Sequence, residues 1–358
     1  MTPVLEDIIQ QPAALASVRK YYNSPGAIPS KALRKMVRHW PPLVVFTGMG
    51  SSLFAAYPAQ AFLTAHGIRA LLWETAELVH HHLKILGPDT LLVVVSQSGE
   101  TVEVLRLLES LPKSQKVLAV VNVEASTLAR QSALMMPMMA SQVSIVSSKT
   151  YMCSVAVLMY LAFVIARRES RQLTTALMRI VQEQEEILNR ADEVAFPSAE
   201  FFNHPPFSAM MSRGADLSTV YQGALTMKEV VRLAVEPTSA AQFRHGPIEI
   251  VDPSHRYIIF ARQGAKPQPP LRIQSRTGKM LLGLAEEIRS HGGRVLLLTD
   301  MPCNAAPNLR IVPVKQVRLG LGTLVDTLHI QLLSHELGLR AGLEPGKFWI
   351  AEEVTRVE

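Results

Sequence analysis

Along much of the chain, apolar residues come in short unbroken runs rather than in alternation. Residues 43–50 read LVVFTGMG, 91–96 LLVVVS and 116–122 KVLAVVN. Such runs belong to strands covered on both faces, as in parallel sheets. The first two lead into glycine-containing turns and then into stretches of helical spacing, over 53–66 and 100–109. That alternation predicts a doubly wound α/β domain. The rhythm then repeats. Residues 207–212 (FSAMMS), 256–261 (RYIIFA) and 294–299 (RVLLLT) read as further buried strands, with helices over 221–233 and 280–291, the second closed by Gly292-Gly293. The two halves look like two copies of one fold.

Between them lies a polar-rich helix over about 173–193, followed by Phe196-Pro197 and Pro205-Pro206. The expected organisation is a helical segment over 1–30, a first domain over 31–195, a second over 196–345 and a tail over 346–358. Residues 263–270 read as a surface loop. The longest apolar stretch, 152–166, is shorter than the ~20 residues a membrane span needs and predicts a core helix.

Composition narrows the classes. The chain has 358 residues, 48% hydrophobic and 18% charged, which suits two globular domains with ample core. Its net charge is +6, but Lys and Arg are spread along the sequence, with no run denser than residues 31–38. That pattern argues against nucleic acid and suits an enzyme with an anionic substrate. Cys153 and Cys303 form neither a disulfide framework nor a metal-type spacing. The start lacks a basic segment followed by an apolar one, so no export signal is expected and the protein is expected in the cytoplasm, off the membrane.

The strongest local signal is VSQSGET at 95–101. A strand running into a helix start offers free N–H groups and the positive end of a dipole. Ser96, Ser98 and Thr101 add hydroxyls, Gln97 an amide, and Gly99 allows close approach. Neutral donors of this kind suit a phosphate monoester. The turn Gly48-Met49-Gly50-Ser51-Ser52 lacks the third glycine and the acid of a dinucleotide fingerprint, and reads as a polar rim facing the same crevice. Ser147-Ser148-Lys149-Thr150 is a third hydroxyl-rich stretch, again opening an apolar helix.

The second half carries acid–base candidates. Glu229 lies on a mostly apolar helix, where partial desolvation would tune it as a base; His245 precedes Gly246-Pro247. His80-His81-His82 point to different sides of a helix and are not expected to bind metal. The methionines of 135–139 read as strand or core filler.

These motifs identify a family. From about residue 40 to the end, the chain resembles the double sugar-isomerase-domain (SIS) proteins. These include the isomerase part of glucosamine-6-phosphate synthase, the glucosamine-6-phosphate deaminases of that fold and the fructosamine-phosphate deglycases. The resemblance rests on SQSGET at 96–101 and on GALTMKE at 223–229 followed by His245-Gly246-Pro247. It implies two flavodoxin-like, three-layer α/β/α domains with parallel sheets. It puts phosphate on Ser96, Gln97, Ser98 and Thr101, sugar contacts on Gly50, Ser51 and Ser52, and the family's serine/threonine-Lys stretch, also substrate- or phosphate-binding, on Ser147 and Ser148. It makes Glu229 the catalytic base and His245 the ring-opening residue, contributed by the neighbouring subunit of a homodimer with a shared active site. It implies a C-terminal tail over that site.

The departures point to a reaction other than the synthase's. Gln222 and Thr226 stand where the synthase has Glu and Lys, and Glu352 and Glu353 precede Val354-Thr355 where it has a lysine; the nearest tail lysine is Lys347. The sequence does not begin with Met-Cys and shows no glutaminase-type segment, so glutamine-dependent synthesis is not expected of this chain alone. The expectation is therefore a cofactor-independent deaminase or deglycase acting on an amino-sugar phosphate or fructosamine phosphate. A plain aldose–ketose phosphate isomerase is the alternative, and a non-catalytic sugar-phosphate sensor the alternative of another class.

Overall fold

The computed structural model describes residues 1–141, 146–263 and 276–350. Two compact units emerge. The first-sheet unit comprises Gln10–Val181 with Phe348–Glu358, and the second-sheet unit comprises Met1–Ile9 with Gln182–Lys347.

Each unit is built on a five-stranded parallel sheet flanked by helices. In the first, β1 (Leu43–Gly48), β2 (Ala70–Glu74), β3 (Thr90–Ser96), β4 (Val117–Val121) and β5 (Leu134–Pro137) take the order β2-β1-β3-β4-β5. In the second, β6 (Ser208–Ser212), β7 (Val235–Ser239), β8 (Arg256–Ala261), β9 (Arg294–Thr299) and β10 (Leu309–Pro313) take the order β10-β9-β8-β6-β7. Counted from each unit's first strand, both orders are 2-1-3-4-5, the flavodoxin-like arrangement. The repeated rhythm of the sequence is thus a repeated topology.

One face of the first sheet buries Val45, Leu92, Val94, Ala119 and Val121 against Val104, Leu107 and Leu128. The second buries Ala209, Met211, Tyr257, Ile259, Val295 and Leu297 against Leu281, Leu284 and Ile288 of the Thr277–Ser290 helix. The Lys149–Ile165 helix is apolar nearly all round and is the core helix expected over 152–166. The Gln11–Tyr22 helix packs on it, with Tyr22 stacked on Tyr160 at 5.4 Å and its hydroxyl donating to the Pro137 carbonyl at 2.7 Å.

The structure departs from the sequence reading in several places. The units divide between Val181 and Gln182, inside the Arg171–Leu188 helix and earlier than residue 195. Pro197 marks no linker, because it lies inside the Ala191–Phe202 helix. The first residues split as well. Pro3–Ile9 forms a helix that belongs with the second sheet, where Thr2 Oγ1 and His335 Nε2 lie 3.0 Å apart. The single helix expected over 53–66 is two, Ser51–Phe54 and Tyr57–Ala65. The three histidines fall on a π-helical turn, Leu78–His82, with His82 stacked on Trp73 at 3.8 Å. Most of the 263–270 loop and tail residues 351–358 lie outside the described residues. Among the described residues no helix is long and apolar enough to cross a membrane.

Candidate functional site

In an open parallel sheet, the crevice for a ligand forms beyond the carboxyl ends of the strands where the order reverses. In the first sheet that point lies between β1 and β3. The turn after β1 holds Gly50 at φ 48°, and the next residues, Ser51 and Ser52, begin a short helix. The turn after β3 is Ser96-Gln97-Ser98-Gly99, with Gly99 at φ 68°. Gly99 has no alternative residue type. A Cβ there would strike the Ser126 hydroxyl and approach Ser126 Cβ to 2.7 Å.

This turn holds its hydroxyls in place through its own backbone. Ser96 Oγ accepts from Gly99 N at 3.0 Å, and Ser98 Oγ accepts from Glu100 N at 3.2 Å. Each oxygen thereby uses an acceptor site and keeps its proton to donate, which is what an anion requires. The Gln97 carbonyl takes Asn122 N at 3.1 Å and Val123 N at 3.3 Å, which sets the level of its side chain. Thr101 occupies the N-cap of the Val102–Ser110 helix in an extended conformation, without a side-chain capping bond. Its Oγ1 is buried and has no hydrogen-bond partner among the described residues.

The third stretch arrives from farther along the chain. Ser148 is the N-cap of the Lys149–Ile165 helix; it is 1% exposed and its Oγ has no hydrogen-bond partner among the described residues. A buried hydroxyl without a partner is costly.

A narrow, partly open cleft joins these segments. Its lining includes Ser51, Ser52, Gln97 and Ser147, so residues from all three predicted stretches meet there. Gly50, Ser96, Ser98, Thr101 and Ser148 belong to the same turns but do not line it. Met138, Thr150, Tyr151 and Ser154 do line it and carry no role in the sequence reading. The signal for two of them is present in retrospect, since Thr150 and Ser154 are polar positions four apart in an apolar helix.

The acid–base candidates lie in the second-sheet unit. Glu229 is near the end of the Leu217–Val231 helix, between the buried Thr226-Met227 and Val230-Val231. Burial lifts its carboxyl to about 7, and Oε2 has no hydrogen-bond partner among the described residues. A carboxyl that titrates near neutrality can both take and return a proton. His245 is exposed, in the turn after the Ala240–Phe243 helix. Ser239 caps that helix by accepting from Gln242 N at 3.2 Å, and Arg244 ties the turn to Glu287 at 2.8 Å.

Comparison with known proteins bears on the fold. Residues 39–181 match the SIS domain family. A glutamine–fructose-6-phosphate aminotransferase (isomerizing) of Thermus thermophilus is 26% identical over 281 residues, covering 75% of this chain and 44% of that protein. The chain thus spans about half the length of the curated relatives it matches. The C-terminal domain of the Francisella tularensis glucosamine-fructose-6-phosphate aminotransferase superposes with TM-score 0.83 at 20% identity, covering 96% of both chains. A tagatose-6-phosphate ketose/aldose isomerase of Escherichia coli gives 0.79 at 19%, covering 98% and 96%. A glucosamine-6-phosphate deaminase of Thermotoga maritima gives 0.74 at 19%, covering 99% and 100%. Residues 39–181 are thus similar to the SIS domain family, and the chain as a whole shares the fold of that aminotransferase domain.

Proposed function

We propose that this chain is a cofactor-independent enzyme that acts on an amino-sugar phosphate or fructosamine phosphate and releases ammonia or an amine. The carrying observation is the cleft at the β1/β3 switch point, where Ser51, Ser52, Gln97 and Ser147 converge beside a turn of preset hydroxyls. In this proposal Ser96, Gln97, Ser98 and Thr101 hold the phosphate, while Gly50, Ser51, Ser52, Ser147 and Ser148 surround the carbons. Anchoring a remote phosphate contributes orientation to the reacting centre.

The chemistry follows from the substrate. In an open-chain 2-amino aldose phosphate, Glu229 removes the C2 proton and returns it to C1. The C1 aldehyde becomes an alcohol and the C2 amine an imine. Water then adds at C2 and ammonia leaves, so the amino-aldose phosphate and water give the ketose phosphate and ammonia. His245 assists at the ring oxygen or the departing nitrogen. The active form is a cytoplasmic homodimer in which His245 serves the neighbouring subunit's site.

The same proton shuttle without C–N cleavage is an aldose–ketose isomerisation, and the likeness to the ketose/aldose isomerase favours that second function. A sensor without turnover is the third, and the tuned Glu229 argues against it.

The test is a panel of phosphorylated amino sugars, sugar–amino-acid adducts and plain hexose phosphates, with released amine and isomer measured together. The double variant Ser98→Ala/Thr101→Ala is expected to weaken phosphorylated ligands by ~2–4 kcal/mol. Equal weakening of an unphosphorylated analogue would remove the turn as a phosphate site. Ligand binding without any product would leave the sensor.

A further inference from the structure

All residues of the Lys149–Ile165 helix but Val164 are buried, and most are apolar. A polar side chain set into such a helix is costly unless its hydrogen bonds are met. Thr150 and Ser154 are two such side chains on one face, and both line the cleft. They spend their hydroxyls differently. Ser154 Oγ donates one turn back to the Thr150 carbonyl at 2.8 Å, an intrahelical bond. Thr150 Oγ1 meets Ser147 Oγ at 2.9 Å, and Ser147 is itself a lining residue. Whichever of the two donates, Thr150 retains either its proton or its lone pairs for another atom. It is 4% exposed and β-branched, so its rotamer is held and little entropy is lost when a ligand arrives.

We infer that Thr150 is a specificity-determining residue of this cleft and hydrogen-bonds a hydroxyl on the ligand's carbon chain. The inference rests on the sugar-phosphate function proposed above. Gln97 lines the cleft but Ser98 and Thr101 do not. With the phosphate on the turn, the cleft takes the hydroxylated carbons that follow it. A site built to hydrogen-bond a hydroxyl also discriminates against the analogue that lacks it.

The experiment is calorimetric titration of the intact chain with fructose 6-phosphate, with its analogues each lacking one hydroxyl at C3, C4 or C5, and with inorganic phosphate. Thr150→Val keeps the shape and removes the hydroxyl, while Thr150→Ser keeps the hydroxyl. Thr150→Val is expected to weaken fructose 6-phosphate by about three- to tenfold. Inorganic phosphate should bind unchanged, and Thr150→Ser should restore most of the loss. For one deoxy analogue, wild type and Thr150→Val should bind equally, because the partner hydroxyl is gone. An equal loss for every analogue and for phosphate would make Thr150 merely structural, and an unchanged affinity for fructose 6-phosphate would also overturn the inference. If Ser98→Ala/Thr101→Ala weakens binding and Thr150→Val does not, the proposed function stands and Thr150 alone falls. If wild type binds none of the probes, the proposed function falls first and Thr150 with it.

Discussion

Arg262 and Asp326 form a two-pronged ion pair, Nε to Oδ2 at 2.7 Å and Nη2 to Oδ1 at 2.6 Å, with Asp326 wholly buried. Arg262 follows β8 as Gln97 follows β3, so the pair occupies the second sheet's counterpart of the ligand crevice. Arg262 also donates to the Lys315 carbonyl at 2.9 Å. Burial, with Asp326 nearby, lifts the Asp216 carboxyl to about 7. Arg262→Leu would leave Asp326 buried without its partner, and breaking such a pair costs about 3–5 kcal/mol. Urea unfolding of the variant measures that loss; a stability within about 0.5 kcal/mol of wild type would show that the ion pair contributes nothing net.

Glu229→Gln is expected to lower turnover at least 10²–10⁴-fold, the contribution of a positioned base. It should also alter the response of stability to pH. The folded carboxyl titrates near 7, above its ordinary value of 4.5. Between those values the folded chain keeps a proton that the unfolded chain releases, so stability falls as pH rises through the window. Glutamine removes that cost. The variant should therefore unfold about 1–3 kcal/mol harder than wild type above pH 7, and no differently near pH 4. Wild-type kcat/KM should rise with pH through about 7 as the base ionises. Melting curves and rates across that range check both halves; a variant less stable than wild type at pH 8 would mean that the carboxylate is satisfied after all.

Gly99→Ala forces a side chain onto φ 68° and against Ser126. The strain is about 1–3 kcal/mol, and the turn must shift to relieve it. Binding of fructose 6-phosphate should fall with stability. Full affinity in a folded Gly99→Ala variant would detach the turn from ligand binding.

The proposed sharing of His245 between subunits has a direct test by mixing. Glu229→Gln and His245→Ala chains, each inactive, are allowed to exchange. A shared site gives the heterodimer one intact site, and activity should recover to roughly a quarter of wild type, since half the molecules carry one working site of two. With exchange verified and no recovery, both residues act within one chain.

Central strands were the legible part of this fold. Residues 256–261 and 294–299 coincide with β8 and β9, because strands covered on both faces must be apolar throughout. Three of the four edge strands were silent. β2, β7 and β10 lie at the margins of their sheets and are only partly buried. Pro237 within β7 is admissible only at such an edge, and in sequence it argues against a strand. The turn proposed to hold phosphate stood out because its donors are contiguous, from Ser96 to Thr101. Met138 and Tyr151 look like core residues in sequence, and only the three-dimensional packing places them at the cleft.

The turn after β3 is fastened at both ends to the segment after β4. Gln97's carbonyl takes two amides there, Gly99's carbonyl takes Leu128 N at 3.2 Å, and Glu100 Oε1 takes Thr127 N at 2.5 Å. The Thr127–Gln131 helix therefore cannot open while the turn stays intact, although it contributes nothing to the cleft. Occupancy of the cleft should accordingly be written into the hydrogen-exchange rates of the Thr127 and Leu128 amides, so that a helix without a ligand contact becomes a reporter of whether a ligand is bound.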